Sequence, residues 1–184
     1  MNDAQAPTET TPFWRFSLHF YRRPGVSEAC IAVQDGCGVD VNLLLFLLWL
    51  ADDGQLLSMD VVRKLDEKVR DWRNLTIIPI RDARRRLKRA QTLVEPAKQE
   101  AFRNKVKAVE LEAERLQQEA LYALTQSGRL GKHADPSTAA RGNVAAYEHL
   151  MNVTFPRNAL DVLLGAFDSL ERGHGGATAA AAQE

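Results

Sequence analysis

The sequence is short of cysteine, of long apolar runs and of charge of either sign in excess, and each shortage excludes a class. Its 184 residues hold two cysteines, Cys30 and Cys37. Their spacing fits neither a Cys-x-x-Cys redox pair nor a four-ligand zinc set, so two reduced thiols in a reducing cytosol are expected. The apolar run from Leu43 to Ala51 falls far short of the roughly 20 residues that span a bilayer, and no membrane insertion is expected. Lys and Arg number 24, as do Asp and Glu, so net charge gives no argument for nucleic acid or a membrane surface. His19 on the first helix is read as an ordinary histidine, and His133, His149 and His174 are too scattered for a metal site. No Ser–His–Asp order, nucleophile elbow, phosphate loop or dinucleotide fingerprint is present. The start, MNDAQAPTETTP, has neither a basic opening nor an apolar core and does not read as a signal peptide. No cofactor, no metal and no assignable catalytic residue are expected.

What the sequence does have is VDVNLLLFLLWLA, Val39 to Ala51. A helix apolar on every side has to be wrapped by other helices. Asp40 stands where its carboxylate can accept the free N–H groups of the first turn. Asn42 lies one turn before Leu45 and Phe46, so its amide faces protein and needs partners. Gly54 suits a left-handed cap at the far end.

The other elements follow from apolar spacing. Thr11-Pro12 opens a helix from Phe13 to about Arg22, and a second runs from Val26 to about Gln34 with Ala29, Cys30 and Val33 inward. Ser58 caps a helix bearing Val62, Leu65, Val69 and Trp72. Thr76 to Ile80 reads as a break, and Pro79 opens a basic helix, IRDARRRLKRA. Pro96 begins the longest helix, to about Gln126, with Phe102, Val106, Val109, Ala113, Leu116, Ala120 and Ala123 as a heptad seam. Its alanines add little apolar area, which favours packing within the chain and a monomer or weak homodimer. Arg129 to Asp135 is a linker, and Pro136 and Pro156 open the last helices. The expectation is an all-α, single-domain bundle of about seven helices. Residues 1–10 form a disordered arm, 11–172 the helical domain and 173–184 a disordered tail. Trp14, Trp49 and Trp72 are read as core anchors.

Phe13-Trp14, Tyr21, Pro24-Gly25-Val26, Cys30, Gln34-Asp35, Val41-Asn42, Leu43-Leu44-Leu45-Phe46 and Trp49 form a recurring pattern. Trp72-Arg73, Pro79-Ile80-Arg81 and the Arg-Arg-x-Leu-Lys run continue it. This pattern resembles a family of uncharacterised proteobacterial proteins known only as conserved hypothetical proteins or a domain of unknown function. The resemblance spans about residues 12 to 125, taking 11–127 as the family-like core and 128–172 as variable C-terminal helices. It implies a cytoplasmic bacterial helical protein and carries no activity.

Two constellations stand out. Gln34, Asp35, Asp40 and Asn42 cluster at the turn into the central helix, and Arg15, Tyr21 and Glu28 can join from neighbouring helices as a polar pocket. The plainer reading, capping and satisfied backbone, is preferred. Arg81, Arg84, Arg85, Arg86, Lys88 and Arg89 make a basic face. It suits a partner or phosphates, but lacks the aromatic interleaving of nucleic-acid binders. A solvated face pairing with Glu95, Glu100 or Glu110 is preferred. The leading function is a non-enzymatic interaction or adaptor protein with an unidentified protein partner on the basic helix and the seam; nucleic acid is weakly supported. The alternative is a small-molecule-binding or enzymatic bundle using the polar cluster. A deep pocket at that cluster separates the two.

Overall fold

The computed structural model describes residues 10–89 and 93–179, with side chains to Leu170. Residues 1–9 of the expected arm and 180–184 of the expected tail lie outside the described residues. Helices α1 (Pro12–Tyr21), α2 (Val26–Cys37) and α3 (Val41–Asp52) come first, then strand β1 (Gln55–Leu56) and α4 (Met59–Trp72). A π-helical turn (Arg73–Ile77) leads into α5 (Ile78–Arg86). The long α6 (Pro96–Ala123), a 3-10 turn, strand β2 (Lys132–His133), α7 (Pro136–Met151) and α8 (Arg157–Ala179) complete the described residues.

The all-α bundle is built round α3. Leu43, Leu44, Phe46, Leu47 and Leu48 are fully buried. Burying such side chains stabilises the fold by about 2 kcal/mol each. Helices α7, α1 and α6 wrap α3, while α2 packs on α8 and α5 on α6. Asp40 caps α3, its Oδ1 accepting from the N–H of Asn42 at 2.9 Å and of Leu43 at 3.3 Å. Thr11 caps α1 and Ser58 caps α4. Gly54 stands at φ +64°, the left-handed conformation that lets the chain leave α3.

Three expectations are corrected. The stretch Thr76–Ile80 is not a break: α4 continues through the π turn into α5, closed by Ile78 N–H to the Arg73 carbonyl. The widened turn carries Pro79 at the start of α5, where its missing N–H and its ring are tolerated. The linker Arg129–Asp135 holds β2, which pairs antiparallel with β1, Gln55 facing His133 and Leu56 facing Lys132. At Gly131 a Cβ would stand 2.7 Å from the Leu56 carbonyl, so only glycine allows that approach. Trp72 is 38% exposed rather than a core anchor; its indole edge donates to the Ala113 carbonyl at 3.0 Å. Trp14 is buried, and Trp49 is half-buried against Phe13, Phe46 and Tyr122.

The largest difference lies on α6. Its inward face is polar: Gln99, Glu110, Ala113, Gln117, Gln118 and Leu121 are buried. Of the expected seam, Ala113 is buried and Val106 half-buried. Phe102 is 56% exposed, Val109 55% and Leu116 41%, with Ala120 and Ala123 also exposed. The polar face turns inward because capping carboxylates and arginines wait for it there.

Candidate functional site

At the start of α3, side chains from five elements meet. Asp40 Oδ2 accepts from Gln117 Nε2 at 2.6 Å. Asp40 N–H donates to the Tyr147 hydroxyl oxygen at 2.9 Å. Arg73, delivered by the π turn, lies 3.5 Å from Asp40 and donates to Asp66 at 2.7 Å. Burial opposes the charge of Arg73, but Asp66 and Asp40 hold its pKa above the usual value. Burial, helped by the Asp40 charge, raises the pKa of Tyr147. This group locks α3, α4, α6 and α7 together.

Beside the lock, Gln118 Nε2 donates to Asn42 Oδ1 at 2.8 Å. These two amides floor a cleft of about 220 Å3 between α1, α2, α3, α5 and α6. Trp14, Leu18, Ile31, Val41, Leu45 and Leu111 give it apolar walls, and Ser17, Tyr21, Gln34, Arg81 and Glu114 a polar edge. Three buried oxygens, Ser17 Oγ, Gln117 Oε1 and Gln118 Oε1, have no hydrogen-bond partner among the described residues, and Ser17 and Gln118 are residues of the cleft wall. Ser17 and Gln118 are each only 3% exposed. Buried polar atoms are normally bonded, so these two ask for a guest or water.

At the mouth, Arg81 Nε donates to Glu110 at 2.8 Å and its other end to Glu114; Arg84 also grips Glu110. Burial raises the pKa of Glu114, with Arg81 opposing and Glu110 and Asp40 adding to it. Burial works against Glu110 too, but bonds from Arg84 and Arg81 hold it below the usual carboxyl value. Burial also raises Tyr21.

Of the seven residues proposed for a polar pocket, the structure sets Tyr21, Gln34 and Asn42 on the cleft. Asp35 and Asp40 lie on an adjoining hollow with Gln34, Asn42, Arg73 and Arg81. Arg15 does not join; it donates to the Thr10 carbonyl on the surface. Glu28 is likewise exposed and accepts from Ser27. On the basic face, Arg81 and Arg84 hold Glu110, Arg85 holds Asp35 at 2.7 Å and Arg86 holds Asp82 at 2.8 Å. Lys88 and Arg89 are exposed. Glu95 and Glu100 pair instead with Lys98 and Arg103 on their own helix. Among the described residues no group of three or more His, Cys, Asp or Glu side chains is set to hold a metal ion. None of the described helices is long and apolar enough to cross a membrane.

Sequence reading missed Ser17, Asp66, Arg73, Glu114, Gln117, Gln118 and Tyr147. A signal was there: Glu110, Glu114, Gln117, Gln118 and Leu121 fall on one helical face, a polar stripe hidden by the apolar one beside it.

Fold and cleft together define a class, a small all-α bundle with an apolar central helix and a polar-edged cleft at that helix's start. The chain belongs to the family described as protein of unknown function (DUF2390), whose model matches residues 12–121. No curated protein and no solved structure matches it. The family match takes in every residue lining the cleft, whereas Tyr147 lies beyond it.

Proposed function

We propose that the protein binds a small, uncharged molecule in the cleft beside Asn42 and Gln118. The observation that supports this reading is that two residues of one apolar-walled cleft, Ser17 and Gln118, each carry a buried, unpartnered oxygen. Gln118 Oε1 calls for a donor, and the Ser17 hydroxyl offers one to an acceptor. A carboxamide or heterocyclic edge carries both, on an apolar or planar body that meets Trp14 and Leu45. The volume is below the roughly 300–1,000 Å3 of drug-sized pockets, which favours a metabolite-sized guest. Arg81 is neutralised by Glu110 and Glu114, so an anion gains little from it. The reading includes a reducing cytoplasm, supported by the free thiols of Cys30 and Cys37. Docking of a protein through the basic helix finds less support, since Arg81, Arg84, Arg85 and Arg86 already face acids within the chain.

The test is a thermal-shift screen of neutral amides and heterocycles, carboxylates and sugars, on wild type and on Ser17→Leu, which fills the cleft. Neutral amides or heterocycles should raise the wild-type midpoint and leave Ser17→Leu unmoved. Stabilisation by carboxylates alone, or equal shifts in both proteins, would overturn the assignment.

A further inference from the structure

The outer face of α6 carries two columns with one period. Phe102, Val109, Leu116 and Ala123 recur every seven residues, and so do Lys98, Lys105, Glu112 and Glu119 beside them. All four apolar residues are exposed among the described residues. In heptad terms the first column is the d seam, and the second is the flanking g position that sets partner choice and orientation. The adjacent a positions Gln99 and Ala113 are buried and Val106 is half-buried, turned toward the chain's own bundle. The d column stays exposed, and Lys98, Glu112 and Glu119 of the g column pair locally with Glu95 and Arg115.

We propose that the protein forms an antiparallel homodimer through this face of α6. The charge order picks the occupant: two lysines lie toward one end and two glutamates toward the other. A two-fold axis crossing the helix near Val109 sets Lys98 against Glu119 of a second copy and Lys105 against Glu112. It also sets Phe102 against Leu116 and Val109 against itself. Parallel pairing in register would set lysine on lysine and glutamate on glutamate, which is repulsive. Exposed Ala101 and Ala108 leave room for close approach. Within one chain Lys98 pairs with Glu95 at 3.1 Å, and Arg115 holds Glu112 and Glu119. The exposed Lys98–Glu95 pair contributes little, and Glu112 and Glu119 share one half-buried Arg115, so turning Lys98 and Glu112 to a second copy costs little. From Phe102 to Leu116, the stretch that a two-fold axis at Val109 matches with its copy, the seam runs about 21 Å at 1.5 Å per residue. One helix pair of that length lies at the small end of specific interfaces, so the dimer is a micromolar one.

Sedimentation of the full chain from about 1 to 100 µM tests this, a range that brackets micromolar association. Wild type should pass from monomer to dimer. Val109→Glu should stay a monomer with an unchanged unfolding midpoint, because Val109 is exposed in the single chain. Lys98→Glu with Lys105→Glu should abolish dimerisation at low salt, and adding Glu112→Lys with Glu119→Lys should restore it. A wild type monomeric throughout overturns the proposal. So does a dimer that survives Val109→Glu, or one indifferent to the charge reversals.

Discussion

Asp40 and Gln117, 77 residues apart in sequence, are joined by a 2.6 Å hydrogen bond from the Gln117 amide to the Asp40 carboxylate. One carboxylate thus starts the central helix and anchors the long helix to it. Its second oxygen is spent on the helix cap. The cleft keeps its shape because this bond fixes the turn of α6 that carries Gln118.

Asp40→Ala removes the cap, leaves Gln117 without its acceptor and takes from Arg73 one of its two carboxylates. It should cost about 3–5 kcal/mol in urea unfolding, the scale for breaking a buried charged network. A loss no larger than that of an isolated cap, about 1 kcal/mol, would show that the contacts to α6 and Arg73 contribute nothing.

Asn42→Leu should cost about 1–3 kcal/mol, because Gln118 loses the acceptor for its amide and stays buried. An unfolding midpoint at or above wild type would contradict this pairing.

Glu110 and Glu114 should respond to pH with opposite signs. Glu110 has a lowered folded pKa, so its stabilisation is present above the unfolded carboxyl value and is lost as pH falls through the folded one. Glu114 has a raised folded pKa, so its contribution is full below the unfolded value and is lost as pH rises through the folded one. At neutral pH, Glu110→Gln should cost about 2–4 kcal/mol by depriving Arg84 of its carboxylate and leaving Arg81 with Glu114 alone. Glu114→Gln should fall within about 1 kcal/mol of wild type. In acid the gap between Glu110→Gln and wild type should close. Parallel pH profiles for the two variants would refute the assignment.

Burial pushes the Cys30 thiol up to about 12 from 9.0, while Cys37 is half-buried with its Sγ 3.7 Å from the Thr154 carbonyl. Native protein should therefore be labelled first at Cys37 by thiol reagents. Cys30 ionises later in the folded than in the unfolded chain, so its contribution is full below the unfolded pKa. Stability should fall as pH rises from about 9 to 12, and Cys30→Ala should flatten that fall. Equal labelling of both thiols, or an identical alkaline profile in the variant, would contradict the burial.

Local chemistry was legible in the sequence. The all-apolar run Leu43–Ala51, its Asp40 cap, the Thr11-Pro12 start, the inward face of α2 and, Trp72 apart, that of α4 stand as spacing and capping rules dictate. What was not legible depends on contacts distant in sequence. The apolar heptads of α6 pointed inward only on the assumption that apolar residues take the buried side. Asp40, Asn42 and the arginines of the π turn and α5 instead draw Gln117, Gln118 and Glu110 in, displacing Phe102 and Val109 to the surface. Thr76 to Ile80 read as a break, with Pro79 opening a new helix, because a π turn leaves no composition signal. The β1–β2 pair was hidden because each strand is two residues long. Asn42 could be read as needing a partner, but Gln118, 76 residues on, could not be named.

Ser17→Ala tests the central claim most directly, because it deletes only the unpartnered hydroxyl at the cleft. A ligand found in the screen would be titrated by calorimetry into wild type and variant, with the unfolding midpoint of each empty protein measured alongside. The account predicts opposite signs: the empty variant is as stable as wild type or more so, by up to about 1 kcal/mol, since a buried unmet hydroxyl is gone. Its affinity for the ligand falls by about tenfold, the weight of one lost hydrogen bond of about 1.4 kcal/mol. A variant that loses stability while binding the ligand as tightly as wild type would contradict it, and would make Ser17 a packing residue of the bundle.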